Sequence, residues 1–339
     1  MNDLSTKSKI HTRLSTYVKW IAPEPETRDA INDQVADIRS RICEKAKDDG
    51  LAITGTPQAG SFAKNTGIRR HMRAGSEVEG QDIDVPFVIK PPKEGEYQLG
   101  QMIDRFEKYA TDSYPKTEKE KTKSSVTLKF TNTLSYDLVP LFATKDPERQ
   151  ILVRTTGEHI ETSEQKHTEF ITDRTSKSDK KKGVVRFNEC VRLLKWWRDI
   201  RCANGSYLEE VPSFLIDLLC AKAFDELSVQ TTYPQTLAEW FTFLAHAVRK
   251  KEQIAFSDYT KPPASDKTVE WQVIDPVNPD NNVAKKFQRY EIDELAEWFE
   301  MGRDYWNRAI AADLRSEDSR SLEQLVELFG TSIKNHSEE

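Results

Sequence analysis

The 339-residue sequence has few cysteines, no long apolar run and no excess of basic residues. Its four cysteines, Cys43, Cys190, Cys202 and Cys220, form no Cys-x-x-Cys pair, which favours a reduced, cytoplasmic protein without a disulfide framework or zinc cluster. No stretch approaches the roughly 18 uninterrupted apolar residues of a membrane span. The polar segment Met1–Lys9 lacks the apolar region of a secretory signal. We therefore expect neither a membrane protein nor a secreted one.

The charge balance is acidic. Fifty-six Asp and Glu residues outnumber 50 Lys and Arg residues, which gives a formal net charge of −6. A protein that coats duplex DNA needs a dominant basic face, so DNA binding is not expected. Small metal-bridged anions remain candidate ligands, because a local cleft can be positive on an acidic protein.

The apolar pattern divides the chain into an N-terminal part with strands and helices and a C-terminal part with helices. In the first part the spacing predicts helices at 27–49, 61–67 and around 99–109, and strands at 82–89, 124–130 and 133–142. The two later strands are joined by a turn at Thr131-Asn132. Pro86 donates no ladder hydrogen bond, so strand 82–89 is not expected to be flanked on both sides there.

From Ile160 onward the pattern is helical. Helices are predicted near 162–174, 186–201, 213–226, 235–251, 290–313 and 321–334, with a charged connector at 176–183. We predict two domains, residues 1–160 and 161–339, with a small-molecule site in the cleft between them.

Three aspartates carry the strongest chemical signal. Asp82 and Asp84 are two residues apart on a predicted strand, so they leave the same face, roughly 6–7 Å apart. Asp137 lies in a second predicted strand, and pairing of the two strands would bring the three carboxylates together. Such charges repel unless cations neutralise them, and carboxylate oxygens suit Mg²⁺ or Mn²⁺. Two such ions about 3.5–4 Å apart serve in-line displacement at phosphorus.

A Gly-Ser pair precedes these aspartates. The segment from Gly55 to Ser61 superficially resembles a P-loop, but Ser61 occupies the position where that motif requires lysine, so we reject it. A turn at Gly60-Ser61 still suits phosphate, because glycine lets the backbone approach and the turn offers donors to an anion.

Each signal has an ordinary structural explanation when it is taken alone. Asp-x-Asp is usually a solvated strand face, Gly-Ser before a helix is usually an N-cap, and Asp137 could be a surface carboxylate. Their occurrence together and in this order is much harder to obtain by chance, and it favours a metal-dependent phosphoryl-transfer site.

The order Gly60-Ser61, Asp82-Ile83-Asp84 and Asp137 resembles the polymerase-β-like nucleotidyltransferases. Three C-terminal segments resemble the oligoadenylate synthetase and cyclic GMP-AMP synthase-like branch: Phe187–Arg198, Pro212–Cys220 and Trp271–Val283. The bacterial members of that branch, the CD-NTases, make cyclic oligonucleotide signals in anti-phage defence. The resemblance implies an α+β fold with a polymerase-β-like catalytic lobe, a mixed sheet and a helical C-terminal lobe.

The resemblance also implies residue roles. Asp82, Asp84 and Asp137 would bind two Mg²⁺ ions, with Mn²⁺ as an alternative, and Gly60 and Ser61 would hold the donor triphosphate.

In the C-terminal part, Lys195 and Ser213 match phosphate-contacting residues of the family, and Phe214 matches an aromatic that stacks on the donor base. Without the family, Lys195 could equally be a snorkelling helix lysine, Ser213 a helix cap and Phe214 a core aromatic.

The implied activity is synthesis of a cyclic di- or trinucleotide from ATP or other nucleoside triphosphates, with release of pyrophosphate. The alternatives are linear oligonucleotide synthesis, nucleotide transfer to RNA or protein, and a catalytically silent nucleotide sensor. The resemblance allows a regulatory partner of the HORMA-domain class, for which the sequence carries no motif. The zinc-binding insertion of the animal DNA sensor is absent from the sequence, so DNA activation is not implied.

Overall fold

The computed structural model of the chain describes residues 8–69, 71–73, 76–78, 82–91, 99–130, 134–154, 157–181, 183–202, 208 and 211–337. The elements in chain order are α1 Lys9–Ile21, α2 Pro25–Asp48, β1 Ile53–Gly55, α3 Gly60–Ala63, β2 His71–Arg73, β3 Ser76–Val78, β4 Asp82–Ile89, α4 Leu99–Ser113, β5 Glu118–Lys121, β6 Val126–Lys129, β7 Ser135–Ala143, β8 Gln150–Val153, β9 His159–Thr162, α5 Glu164–Asp179, α6 Phe187–Cys202, α7 Ser213–Leu227, α8 Tyr233–Arg249, α9 Arg289–Leu314, α10 Asp318–Phe329 and α11 Ser332–His336. None of the helices within these ranges is long and apolar enough to cross a membrane.

The chain separates into two compact units. The first, here the sheet unit, consists of Pro23–Arg70 and Glu79–Glu169. The second, here the helical unit, consists of Met1–Ala22, His71–Val78 and Phe170–Glu339. The division into domains 1–160 and 161–339 stays a prediction. The compact units differ from it because α1 and the β2–β3 hairpin belong to the helical unit.

The sheet unit is built on a seven-stranded mixed sheet. Its strands lie in the order β1-β4-β7-β6-β5, and β8 pairs with both β7 and β9. Strands β4 and β7 run parallel, in register from Asp82 opposite Ser135 to Ile89 opposite Phe142. The other strand pairs of this sheet are antiparallel. The two strands that carry the predicted catalytic aspartates are therefore direct neighbours.

Strand β4 shows the predicted alternation of buried and accessible residues. Ile83, Val85 and Phe87 are buried in one core with helices α2 and α4. Phe87 meets Phe106 of α4 edge to face, with ring centroids 5.3 Å apart. Since successive side chains of a strand point to opposite faces, Asp84 lies on the face away from this core.

Pro86 occupies a position of β4 that tolerates the loss of one hydrogen-bond donor. It is the register partner of Val139 in β7. Strand β1 pairs with β4 at Val88 and Ile89, beyond Pro86. Among the described strands Pro86 therefore has a neighbour on one side, which confirms the prediction from its missing N–H.

Helix α6 lies in the core of the helical unit. Trp196 and Trp197 are both nearly inaccessible to solvent. Trp197 packs edge to face on Phe241 of α8 at 4.9 Å, and Trp196 donates its indole N–H to the carbonyl oxygen of Phe329 at 3.0 Å. Helix α6 thus contacts apolar partners on several sides, and most of its residues are buried.

A buried arginine ties α5 to the rest of the helical unit. Arg174 makes paired hydrogen bonds to both Asp225 and Asp258, and its guanidinium lies 3.8 Å from the ring centroid of Phe170. The Arg174 side chain is only 2% exposed. Two bidentate carboxylates satisfy the charge and donors of the guanidinium, which a buried arginine requires.

The segment Trp271–Val283, one of the three that resemble the family, forms a loop held by its own polar side chains. The Asp275 carboxylate accepts hydrogen bonds from the backbone N–H of Val277 and the side-chain amide of Asn281, at 2.9 and 3.0 Å. The side-chain oxygen of Asn282 accepts from the N–H of Val273 at 2.9 Å. These bonds give the segment a structural role, because they shape the loop.

Most of the predicted elements are present. The helix at 27–49 corresponds to α2, the strand at 82–89 is β4, and the six C-terminal helices correspond to α5–α10. The last predicted helix is divided, because Gly330 at φ +77° ends α10 before α11 begins. The predicted turn at Thr131-Asn132 lies outside the described residues.

Two predicted boundaries are wrong. The connector at 176–183 begins as helix, since α5 continues to Asp179. The helix predicted at 61–67 is the single turn α3, which ends at Ala63 because Asn65 adopts φ +55°. Helix α1 and strands β1, β2, β3, β5, β8 and β9 were not predicted.

Candidate functional site

The carboxylates of Asp84 and Asp137 come from neighbouring parallel strands. Asp84 is the register partner of Asp137, and Asp82 is the register partner of Ser135. Neighbouring strands lie about 4.8 Å apart, and register partners project from the same face of a sheet. Both Asp84 and Asp137 are partly exposed. The structure therefore brings two of the three predicted aspartates together, whereas the side chain of Asp82 lies outside the described part of the chain.

Gly60 packs directly against Asp84. It has φ +73°, which L side chains rarely adopt. A Cβ atom at this position would overlap a carboxylate oxygen of Asp84 and lie 3.2 Å from its Cγ. Glycine is therefore required at position 60 both by its backbone conformation and by the close approach of the carboxylate.

Ser61 follows in the single turn α3. Its carbonyl oxygen accepts hydrogen bonds from the N–H groups of Thr66 and Gly67, at 3.0 and 3.1 Å, so the segment after the turn folds back on it. The Ser61 side chain is partly exposed. The structure thus places Gly60 against the Asp84 carboxylate, with Ser61 next to it in the chain, and a bound phosphate at Ser61 stays a prediction.

A threonine that the sequence reasoning missed contacts Asp137. Thr127 of β6 is the register partner of Asp137, and its hydroxyl donates a hydrogen bond to Oδ1 of Asp137 at 2.5 Å. Glu120 of β5 is in turn the register partner of Thr127. Four strands thus align Asp84, Asp137, Thr127 and Glu120 in one row, which we call the acidic row. The alternating pattern of β6 could have indicated the face on which Thr127 lies. The residue opposite Thr127 depends on strand register, which the spacing of residues in the sequence does not give.

Glu120, at the far end of the acidic row, is neutralised locally. Its carboxylate lies 2.7 Å from Nζ of Lys129, which also pairs with Glu118. The hydrogen bond from Lys129 lowers the pKa of Glu120 below its ordinary value. Lys129 therefore offsets part of the negative charge at this end of the row.

The donor set fits a divalent metal ion. Asp84 and Asp137 offer carboxylate oxygens at adjacent positions, the ligands that Mg²⁺ and Mn²⁺ take. Because Gly60 has no Cβ, the Asp84 carboxylate can lie where a side chain at position 60 would otherwise be. Within the described side chains no three His, Cys, Asp or Glu residues converge into a metal site. The third ligand would have to come from Asp82.

The remaining predicted site residues lie in the helical unit. Lys195 of α6 forms an ion pair with Asp217 of α7, with 2.8 Å between Nζ and Oδ1, and each side chain is 2% exposed. Ser213 is the exposed first residue of α7 and accepts a hydrogen bond from Arg198 at 3.0 Å. Phe214 beside it is half-buried. The assigned roles of Lys195, Ser213 and Phe214 all stay predictions.

The chain is similar to proteins of known activity. A family model described as "Second Messenger Oligonucleotide or Dinucleotide Synthetase domain" matches residues 9–174. Cyclic AMP-AMP-AMP synthase of Escherichia coli (strain MS 115-1) is 30% identical over 244 residues, which cover 70% of this chain and 71% of that protein.

Solved structures of related proteins cover nearly the whole chain. The complex of E. coli MS115-1 CdnC with HORMA-deltaN matches with a TM-score of 0.76 at 26% identity, covering 97% of this chain and 99% of CdnC. CdnC with ATP matches with a TM-score of 0.78 at 24% identity, covering 95% and 98%. The Vibrio cholerae cyclic AMP-GMP synthase DncV with its linear intermediate reaches 0.67 at 15% identity, covering 96% and 97%. The predicted fold class is confirmed by these matches. The chain belongs to the second messenger oligonucleotide or dinucleotide synthetase family, the CD-NTases, and is a nucleotidyltransferase of the class that makes cyclic oligonucleotides.

Proposed function

We propose that this nucleotidyltransferase joins nucleoside triphosphates, ATP foremost, into a cyclic di- or trinucleotide second messenger for anti-phage signalling. The observation that carries the proposal is the register pair of Asp84 and Asp137 with Gly60 packed against Asp84. The similar E. coli protein is a cyclic AMP-AMP-AMP synthase, which makes a cyclic triadenylate the first product to test. Pyrophosphate is the other product of each transfer.

The catalytic aspartates act together as oxygen ligands. Asp82, Asp84 and Asp137 would hold two Mg²⁺ or Mn²⁺ ions on the face of the sheet opposite the core. When bound, such ions lower the pKa of an attacking hydroxyl and stabilise charge on the reacting phosphate. Asp137, on the neighbouring strand β7, would complete the set. Protein nucleophiles are not needed for this chemistry.

The Gly60-Ser61 turn would bind the donor triphosphate. Gly60 lets the backbone approach to within contact of Asp84, and the Ser61 that follows it is partly exposed. Ser213 is exposed and could donate to a phosphate without rearrangement. Phe214 would stack on the donor base. Each of these residues therefore binds and orients the nucleotide and does not react with it.

Lys195 requires a rearrangement if it is to contact a phosphate. Its ammonium is buried against Asp217, so a nucleotide would have to replace one carboxylate partner by another. Exchange of anionic partners avoids leaving the buried cation unpaired, which would be costly. We therefore propose that Lys195 contacts a phosphate only when nucleotide is bound and its ion pair with Asp217 has opened.

A regulatory partner is part of the proposal. The similar CdnC has been solved in complex with HORMA-deltaN, and this chain aligns with 99% of the matched chain of that complex. We expect an equimolar HORMA-domain protein from the same genome to raise the rate of product formation. An unchanged rate with a partner that binds the chain would overturn this part of the proposal.

The decisive experiment is product analysis. The protein would be incubated with the four labelled ribonucleoside triphosphates and Mg²⁺ and then with phosphatase. The products would be identified by mass spectrometry. A phosphatase-resistant cyclic di- or trinucleotide is expected. Linear products with phosphatase-sensitive ends, or a labelled macromolecule, would replace the proposal by an alternative transferase activity. Nucleotide binding without pyrophosphate release would indicate a silent sensor.

Asp137→Asn tests the catalytic assignment. We expect turnover to fall by at least about 100-fold, because metal ligation stabilises transition-state charge by several kcal/mol. The matched control is Asp112→Asn, which changes an exposed aspartate on α4 and should leave turnover unchanged. Normal triphosphate consumption by folded Asp137→Asn would contradict the assignment.

A further inference from the structure

The acidic row contains one residue that is neither a carboxylate nor a predicted ligand. Thr127 lies between Asp137 and Glu120, with both as register partners. A threonine hydroxyl has a single proton, and either neighbouring carboxylate could accept it. The proton goes to Asp137, while the Glu120 carboxylate is bound by Lys129.

The hydrogen bond from Thr127 fixes one oxygen of the Asp137 carboxylate. Oδ1 is the acceptor, at 2.5 Å, so the carboxylate is held in one rotational state with Oδ2 as the oxygen that Thr127 does not bind. Threonine is well suited to this task, because a β-branched side chain is stiff at χ1 and loses little freedom in a strand. Hydrogen bonds to a charged acceptor are also the strong ones.

We propose that Thr127 is a positioning residue for the transferase reaction: its hydroxyl orients the Asp137 carboxylate so that Oδ2 is presented to a divalent cation. The proposal rests on the proposed metal-binding role of Asp137. Partners that orient a metal ligand typically matter 10–100-fold in metal affinity or activity when they are removed. Thr127 acts through Asp137 and touches neither metal nor nucleotide.

The test compares three variants of the full-length protein. Thr127→Val keeps the shape and removes the hydroxyl, whereas Thr127→Ser keeps the hydroxyl and removes the methyl group. Thr54→Val is the matched control, because Thr54 lies on β1 of the same sheet and donates to the backbone carbonyl of Val88 at 3.2 Å. Thr127→Ala replaces the valine variant if that one does not fold.

Metal binding is measured apart from turnover. Free Mn²⁺ is followed by electron paramagnetic resonance in the presence of a non-hydrolysable ATP analogue, and pyrophosphate release is measured in parallel. We expect Thr127→Val to weaken Mn²⁺ binding and slow turnover by about 10–100-fold. Thr127→Ser should stay within about threefold of the unchanged protein, as should Thr54→Val.

Three outcomes would overturn the proposal. The first is unchanged Mn²⁺ affinity in Thr127→Val, and the second is an equal loss in the serine and valine variants, since the hydroxyl would then not be the cause. The third is full Mn²⁺ binding and turnover in Asp137→Asn, which would show that Asp137 is not a metal ligand and that the proposed function itself is wrong. If Asp137→Asn is inactive and Thr127→Val is normal, only the role of Thr127 is wrong.

Discussion

Replacing Gly60 by alanine should separate the cost of backbone strain from the cost of steric exclusion. Gly60 and Gly50 have nearly the same backbone angle, φ +73° and +70°. A Cβ at Gly50 would meet nothing within 4 Å, whereas a Cβ at Gly60 would overlap the Asp84 carboxylate. Gly50→Ala is therefore a matched control that carries the strain without the collision.

Both variants should lose folding stability, but only Gly60→Ala should also lose turnover. An alanine in the left-handed region costs about 1–2 kcal/mol of folding free energy, so both variants should lose at least that much. In Gly60→Ala the Asp84 carboxylate must also move, by on the order of 1 Å to restore normal contact distances. A misplacement of this size can cost about 100-fold in rate. We expect that loss of turnover in Gly60→Ala and nearly full turnover in Gly50→Ala.

The assay combines thermal unfolding with pyrophosphate release under saturating Mg²⁺ and nucleotide. Similar melting temperatures with a selective loss of turnover in Gly60→Ala would support the close packing of Gly60 on Asp84. Full turnover in folded Gly60→Ala would refute the reasoning, because the position of the Asp84 carboxylate would then not depend on the missing Cβ at position 60.

Two further predictions concern stability. Lys195→Met should lower the free energy of unfolding by roughly 3–5 kcal/mol, because it leaves Asp217 buried without its partner, and Lys195→Met/Asp217→Leu should recover most of the loss in denaturant titrations. A loss below about 1 kcal/mol in the single variant would contradict the buried pair. Burial, followed by the hydrogen bond to Asp49, raises the pKa of Tyr109 from 10.0 to about 12. The resulting stability is present below pH 10 and is lost as the pH rises through 12, so Tyr109→Phe should flatten the fall in melting temperature across that interval. An unchanged slope would count against it.

The sequence was sufficient to predict the strands that carry the aspartates. Strict alternation around Asp84 and the apolar neighbours of Asp137 identified both strands, and the chemistry of carboxylates suggested that the strands pair. The spacing did not give the register between them. Thr127 was missed for that reason, since its role depends on which residue lies opposite it in β7.

Other misses have different physical causes. Helix α1 has apolar residues at helical spacing. The residues with which it forms a compact unit lie mostly in the C-terminal half of the chain, so its place in the fold is not visible from its local sequence. The phosphate role of Lys195 stays a prediction. What the spacing did not give is the pairing of Lys195 with Asp217, because Asp217 lies on the next helix. The charged segment 176–183 suggested a connector, although helix α5 buries Thr175 and Ser178 and continues to Asp179.

The alignment of β4 with β7 has a consequence for how this enzyme tolerates change. A slip of either strand by one residue would turn its aspartate toward the apolar side and bring a residue such as Val85 or Leu138 outward. The apolar packing beneath the sheet thus fixes the register of β4 and β7 and keeps Asp84 and Asp137 opposite each other on the same face. Substitutions deep under the sheet, remote from any nucleotide, should accordingly impair chemistry before they unfold the protein.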